Sequence, residues 1–411
     1  MTTKPYLFIF ISALLFFSCK EKQPVKSIVT TASNAHLKST LNNVLNTGVA
    51  QYKYMADQLR KGEFPKTYNS EKNKLETSGS DWWCSGFYAG SLLLLDKGIG
   101  APTLKQEAQK SMAHLKKEQF NSSTHDLGFM MYCSFGNALA MQENKEYEQI
   151  LLNSAKSLST RYNDKVKAIR SWDNAPWNKG NEGDLIAIID NMMNLELLFW
   201  ATRHTNDSTY YNIAVNHANT TMNNHFRDDY SSYHVVIYDE KTGAVQSQIT
   251  NQGAADESSW SRGQAWGLYG YTVMYRETGD LKYLRFAENI ADYILNHPNL
   301  PSDKIPYWDF NAPQIPNALR DSSAAAIIAS ALLELSTFDE VGPKDKYLHN
   351  AELILQQLST PEYIANNGEN GGFLLKHGVG NMPNKTEIDV PLTYGDYYLI
   401  EAILRYLEVN T

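Results

Sequence analysis

From His36 onward, apolar residues return every three or four positions in one segment after another. That spacing lines one face of an α-helix. Twelve such segments are predicted: 36–61, 85–97, 103–118, 127–142, 145–161, 191–205, 208–226, 259–278, 281–297, 322–337, 344–358 and 394–408. Many of the links are short and polar, as at Glu143-Asn144, Thr205-Asn206-Asp207 and Thr278-Gly279-Asp280. A short link turns the next helix back antiparallel to the last, so the chain reads as a series of helical hairpins. Strand signals are few. Tyr233–Tyr238 and Ala244–Thr250 flank Asp239-Glu240-Lys241-Thr242-Gly243 as one β-hairpin, and Leu185–Ile189 is expected to run extended before its helix.

The helix openings repeat. A polar residue followed by small, aromatic or Gly residues stands at Ser80-Asp81-Trp82-Trp83, His125-Asp126-Leu127-Gly128, Ile189-Asp190-Asn191-Met192, Glu257-Ser258-Ser259-Trp260, Asp321-Ser322-Ser323-Ala324 and Tyr394-Gly395-Asp396-Tyr397. The intervals are 45, 64, 68, 63 and 75 residues, and each holds about two helices. Six units of two helices predict an all-α fold, an (α/α)6 barrel in which six hairpins close into a toroid. The β-hairpin is a small insertion in it. Alternate helices form the inner layer, with their N-termini on one face. The 411 residues would admit two or three domains; the repeat argues for a single domain over 36–411.

The segment before it reads as an address. Lys4 precedes an apolar run, Leu7–Phe17, that ends at Ser18-Cys19. The run has the length of a signal-peptide core and falls short of the ~18 apolar residues that span a bilayer. A small residue directly before Cys resembles a bacterial lipoprotein processing site. Residues 1–19 are therefore expected to be a signal peptide with a lipobox-like Cys19, and 20–35, largely polar with Pro24, a tether. Phe16 and Phe17 loosen that match, and the alternative is an ordinary signal peptide with an incidental Cys. Either places the mature protein outside the cytoplasm, in the periplasm or on the cell surface. In the lipoprotein case it is anchored to the outer membrane by lipid alone. Cys84 and Cys133 sit in apolar, aromatic surroundings and are expected to be buried small hydrophobes, although a pairing between them stays open.

Composition narrows the function. The charge of −8, from 37 Lys plus Arg against 45 Asp plus Glu, argues against nucleic acid or an anionic membrane surface as partner. The 25 Tyr, 15 Phe and 8 Trp make 12% of the chain. Several fall at the helix openings: Trp82, Trp83, Phe87, Trp260, Trp266, Tyr397 and Tyr398. Flat apolar faces with polar edges suit sugar rings.

Hydrolysis of a sugar bond needs carboxyl groups in a shielded pocket, one of them able to donate a proton. Asp190, between Ile188-Ile189 and Met192-Met193, is expected to have its pKa raised by burial, with Asn191 and Asn194 close by to orient it. Asp126 follows His125 and precedes Gly128. For both, helix capping is the competing role; for Asp321 and Ser258 capping is the expectation. Arg262, in Trp260-Ser261-Arg262-Gly263-Gln264-Ala265-Trp266, suits a carboxylate ligand or a structural pair with Asp256 or Glu257. His234 lies on the predicted hairpin, where an exposed edge-strand position is the alternative. No His pair has metal-ligand spacing, and no phosphate loop or nucleophile elbow is present. Neither metal nor cofactor is expected.

Taken together, the chain resembles the unsaturated glucuronyl hydrolases, glycoside hydrolase family 88. The resemblance is carried by Asp81-Trp82-Trp83-Cys84-Ser85-Gly86-Phe87, His125-Asp126-Leu127-Gly128-Phe129, Ile189-Asp190-Asn191-Met192-Met193-Asn194-Leu195, Ser259-Trp260-Ser261-Arg262-Gly263-Gln264-Ala265-Trp266-Gly267, Tyr307-Trp308-Asp309-Phe310 and Tyr394-Gly395-Asp396-Tyr397-Tyr398. It implies an (α/α)6 fold and removal of a 4,5-unsaturated uronic acid from the non-reducing end of lyase-generated oligosaccharides, by hydration of the C4=C5 bond. It also implies Asp190 as general acid/base, with Asp126 as the second essential Asp. Trp82, Trp83, His125, His234, Gln252, Trp260, Arg262 and Trp266 fall where the family binds substrate. Two departures stand out. Asn251 precedes Gln252 where several members have His. His377-Gly378-Val379-Gly380-Asn381-Met382 lacks a Ser-x-Ser-like feature of members acting on sulfated disaccharides, leaving Lys376 and Lys385 as nearby cations. The rival readings are a hydrolase of the same fold acting on unsaturated rhamnogalacturonyl or ulvan fragments (family 105) and a non-catalytic glycan-binding lipoprotein.

Overall fold

A computed structural model of the chain describes residues 1–2, 26–175 and 183–410, with the backbone alone for 26–34. Residues 3–19 of the expected signal peptide, with Cys19, and 20–25 of the expected tether lie outside the described residues. Twelve α-helices are present among those described: α1 (Lys26–Ala56), α2 (Ser85–Ile99), α3 (Pro102–Leu115), α4 (Asn137–Met141), α5 (Lys145–Ser159), α6 (Leu195–Thr205), α7 (Ser208–Asn224), α8 (Ser261–Thr278), α9 (Leu281–Asn296), α10 (Ser322–Leu335), α11 (Lys344–Leu358) and α12 (Thr393–Val409). A π-helix, Gly128–Gly136, leads into α4, and a 3-10 turn, Ile189–Asn194, leads into α6.

The even-numbered helices, with those two lead-ins, pack neighbour to neighbour, and α12 meets α2 to close the ring. Each odd-numbered helix packs outside it, against an inner partner. Composition explains the split. In α10 every residue from Ser322 to Leu333 is buried, and that stretch is built of Ala, Ser, Ile and Leu all round. A helix that is apolar on every side must be enclosed. In α9 the buried positions Leu284, Ala287, Ile290, Ala291 and Ile294 form one stripe, while Lys282 and Arg285 face solvent. The inner helices approach closely through glycine. A side chain at Gly86 would stand 2.2 Å from the Met130 carbonyl oxygen, and one at Gly90 2.5 Å from that of Cys133, so the backbone of α2 rests directly on the π-helix.

Helix α1 departs from expectation at both ends, and the expected helices 127–142 and 191–205 open as the π-helix and the 3-10 turn. Helix α1 begins at Lys26, inside the expected tether, because no Gly or Pro interrupts 26–47. It ends at Ala56, before Gly62, whose φ of +82 turns the chain into a strand.

The β-structure is richer than one hairpin. Strands β1 (Phe64–Asn69) and β2 (Lys74–Ser78) pair, as do β3 (Tyr162–Asn163) and β4 (Ala168–Ile169). The expected hairpin is β6 (Val235–Asp239) with β7 (Val245–Ile249), and the expected extended run is β5 (Asp184–Ile188). These three make one antiparallel sheet, with Ile186 opposite Ile237 and Ile237 opposite Ser247. Strands β8 (Gly378–Asn381) and β9 (Thr386–Val390) form a further ribbon. Such short ribbons carry little period-2 patterning. Gly378-Val379-Gly380-Asn381 has one β-branched residue and is held by tertiary contacts.

Cys84 is buried and Cys133 half-buried; both are free thiols, and burial pushes both well above the ordinary thiol range. No helix among the described residues is long and apolar enough to cross a membrane.

Candidate active site

The inner-helix openings surround a cleft of ≈ 530 Å³ whose lining includes Trp82, Trp83, His125, Asp126, Asp190, Gln252, Arg262 and Tyr394. Asp190 comes first in the geometry. Pairing of β5 with β6 carries the chain to Ile189, whose N–H donates to the His234 carbonyl at 3.0 Å. The 3-10 turn that follows sets Asp190 at the cleft floor. Asn191 Nδ2 donates to the Ile169 carbonyl at 3.1 Å, and Asn194 Oδ1 accepts the Phe129 N–H at 3.0 Å. Both asparagines thus fix the turn that carries Asp190.

Burial pushes the Asp190 carboxyl up to about 7; the charge of Asp126 adds to the rise and Arg262 opposes it. A proton is therefore held there near neutral pH. Its Oδ2 meets no hydrogen-bond partner among the described residues, and the same is true of the nearby His234 Nε2. Buried polar atoms left unmet in this way mark a site built for something else to touch. His234 is not an exposed edge residue: β6 is the middle strand of its sheet, and the ring is buried. Its Nδ1 accepts the N–H groups of Asn251 (3.2 Å) and Gln252 (3.3 Å), which assigns the ring proton to Nε2. Burial, with Arg262 nearby, holds the ring neutral.

Asp126 sits beside it with both oxygens engaged. Thr124 Oγ1 donates to Oδ2 at 2.8 Å, and His125 Nε2 lies 3.3 Å from Oδ1. Neither Asp126 nor Asp190 caps its helix through its side chain. Asp321 does: it accepts the Ser323 N–H at 3.0 Å at the start of α10. Ser258 does not. Trp260 stands at the N-cap of α8, and Ser258 Oγ instead donates to Asp309 Oδ2 at 2.7 Å.

Arg262 is buried, and its donors are largely occupied. It donates to the carbonyls of Val379 and Gly380, both at 2.6 Å, and pairs with Asp321 Oδ2 at 3.2 Å. The structural partner is thus Asp321, not Asp256 or Glu257. Gln252 Nε2 also donates to the Gly380 carbonyl, at 3.1 Å. Both residues line the cleft while holding β8 in place.

The aromatics divide. Trp82, 40% exposed, and Trp83 line the cleft. Trp260 is buried between Arg262, at 4.4 Å, and His234, at 4.6 Å. Trp266, Phe87, Tyr397 and Tyr398 are buried beneath the floor. They stack with Phe129 into a plug, with Phe129–Trp266 at 5.2 Å and Phe87–Tyr397 at 5.2 Å between ring centroids. The lumen of the ring has to be filled, and large rings fill it; a helix opening in sequence does not say which rings point down. Trp266 still touches the chemistry from below, since its indole N–H favours the charged form of Asp190.

Lys66, Thr124, Trp172 and Glu387 also line the cleft and were not anticipated. Thr124 precedes His125-Asp126, and Trp172 stands in polar Ser171-Trp172-Asp173; both were findable signals. Lys66 and Glu387 ride on the unpredicted ribbons. Lys376 instead donates to the Pro361 carbonyl at 2.7 Å, and Lys385 lies in the β8–β9 turn; neither lines the cleft.

A ring of six helical hairpins with one carboxyl raised by burial and a second Asp under an aromatic-edged cleft defines an (α/α)6 glycan-processing enzyme. No family profile matches the chain. It is 46% identical over 343 residues to the unsaturated glucuronyl hydrolase of Formosa agariphila, covering 83% of this chain and 84% of that one. It superposes on the crystal structure of an unsaturated glucuronyl hydrolase specific for heparin with a TM-score of 0.86 and 45% identity, covering 90% of this chain and 98% of that one. A Streptococcus agalactiae unsaturated glucuronyl hydrolase mutant complexed with dGlcA-GalNAc6S gives a TM-score of 0.76 at 29% identity, covering 90% and 92%. The chain belongs to the unsaturated glucuronyl hydrolase family.

Proposed function

We propose that the protein removes the 4,5-unsaturated uronic acid from the non-reducing end of lyase-generated oligosaccharides by adding water across C4=C5. The observation that carries this reading is Asp190, a carboxyl that holds a proton near neutral pH at the floor of a sugar-sized cleft. An enol ether accepts a proton only from a well-placed acid. Asp190 gives its proton to C4, and the cation that develops at C5 and the ring oxygen is stabilised by the carboxylate left behind and by Asp126. Water adds at C5 and returns a proton to Asp190, so the net change is one water added. The resulting hemiketal opens, and the anomeric carbon, now a hemiacetal, releases the remaining sugar. His234, neutral and protonated on Nε2, donates toward Asp190 without adding a charge. Trp82 and Trp83 offer faces to the sugar rings.

The reading also places the protein outside the cytoplasm, lipidated at Cys19, on the strength of the Leu7–Phe17 run and Ser18-Cys19. Labelling with a fatty acid, lost in Cys19→Ala, tests that part. The activity is tested by incubation with lyase-generated disaccharides from hyaluronan, chondroitin, heparin and ulvan. Loss of the C=C ultraviolet absorbance supports it; no loss with any of them refutes it.

A further inference from the structure

At the mouth of the cleft stands a pair that this mechanism does not use. Lys66 on β1 and Glu387 on β9 both line the cleft, with Lys66 Nζ 3.5 Å from Glu387 Oε1. The Lys66 ammonium also lies 4.9 Å from the centre of the Trp82 ring, the most exposed indole of the lining. Glu387 is held in a left-handed backbone conformation, φ 54, within a strand. Its Cβ stands 2.6 Å from where a side chain on Gly380 would begin, so only glycine on the facing strand admits it. The pair is largely covered yet still reaches the cleft, with side chains 26% and 18% exposed, so water screens only part of it. A strained backbone at a cleft mouth is better explained by what it places there.

We propose that Lys66 and Glu387 read the second sugar, the one released, and select a hydroxyl over a sulfo group at the position they face. The inference rests on the function proposed above. A ring seated on Trp82 brings one substituent between the two side chains. The pair is neutral overall and presents one donor and one acceptor. A hydroxyl matches both, since it accepts from Lys66 and donates to Glu387. A sulfo group matches the ammonium alone and sets its own charge against the Glu387 carboxylate. Specificity built this way excludes the wrong ligand as much as it holds the right one.

The test compares kcat/KM for an unsaturated disaccharide of glucuronic acid and an N-acetylhexosamine, unsulfated and with one sulfo group at each available hexosamine position. Wild type, Glu387→Gln and Lys66→Met are measured as full chains, with melting curves to establish folding. For wild type, at least one sulfated form is expected to fall roughly tenfold or more below the unsulfated one. Glu387→Gln, which removes the repelling charge, should shrink that ratio by roughly fivefold or more. Lys66→Met should raise KM for the unsulfated disaccharide. Equal use of every sulfated form by wild type, or a ratio unmoved in Glu387→Gln, overturns the selection while the hydrolase reading stands. No turnover of any form by wild type overturns both.

Discussion

His234 Nε2 lies 3.6 Å from Asp190 Oδ2. The two backbone N–H groups on the far side of the ring leave Nε2 as the only nitrogen able to carry its proton. A neutral donor therefore faces a carboxyl that burial raises to about 7, so that it still holds a proton part of the time at neutral pH. The distance is longer than a hydrogen bond, as is common at catalytic groups before a substrate closes the site.

Such a carboxyl carries a cost to stability. The folded state holds its proton up to about pH 7, whereas an unfolded Asp loses it near ~3.9. The folded form is thus favoured fully at low pH, loses stability as pH rises from about 4 to 7, and stays lower above that. Asp190→Asn removes the charge and with it the loss. The variant should be more stable than wild type by roughly 2–4 kcal/mol at pH 8. That difference should vanish near pH 4, as thermal melting at the two pH values will show.

Trp266 acts on the same group from beneath. Its indole N–H favours the Asp190 carboxylate, so Trp266→Phe should move the alkaline limb of the kcat profile to higher pH. Trp82→Ala, at the exposed rim, should leave the limb in place and raise KM by roughly fivefold, as expected for a stacking face lost in ground and transition states alike. Complete pH–rate profiles of both variants separate the two roles.

Arg262 is a different kind of residue. Arg262→Ala strands the buried Asp321 carboxylate and frees the Val379 and Gly380 carbonyls. Breaking a buried pair from one side costs about 3–5 kcal/mol. Denaturant unfolding should show that loss, and Arg262→Met combined with Asp321→Asn should recover part of it. An Arg262→Ala protein as stable as wild type would mean that these contacts are not formed in solution.

Gly86 reports on the ring itself. A methyl group there meets the backbone oxygens of Met130 and Phe129 at 2.2 and 2.3 Å, and neither can move without bending the π-helix. Gly86→Ala should cost more than about 3 kcal/mol and lower soluble yield, while Gly100→Ala, with nothing within 4 Å but a φ of +68, should cost only about 1 kcal/mol.

The helical ring was legible because each of its layers leaves its own mark: one stripe in α9, apolar residues all round in α10. The openings at Asp126 and Asp190 were legible because polar residues there interrupt apolar helices at the repeat interval. What stayed hidden depends on tertiary contact. Strand β8 is held by Arg262 and Gln252 donating to its carbonyls, and nothing in Gly378-Val379-Gly380-Asn381 announces that. Lys66 and Glu387 stayed hidden with the ribbons that carry them. Trp260 and Trp266 have the same local sequence signature as Trp82, and only the packing of the lumen decides which ring meets sugar and which fills the floor.

In the proposed mechanism Asp190 supplies the proton that starts the reaction. The direct measurement is loss of C=C absorbance by Asp190→Asn on a disaccharide that wild type consumes, with binding followed separately by calorimetry. Turnover should fall at least about a hundredfold while the disaccharide still binds; turnover near that of wild type would contradict the account.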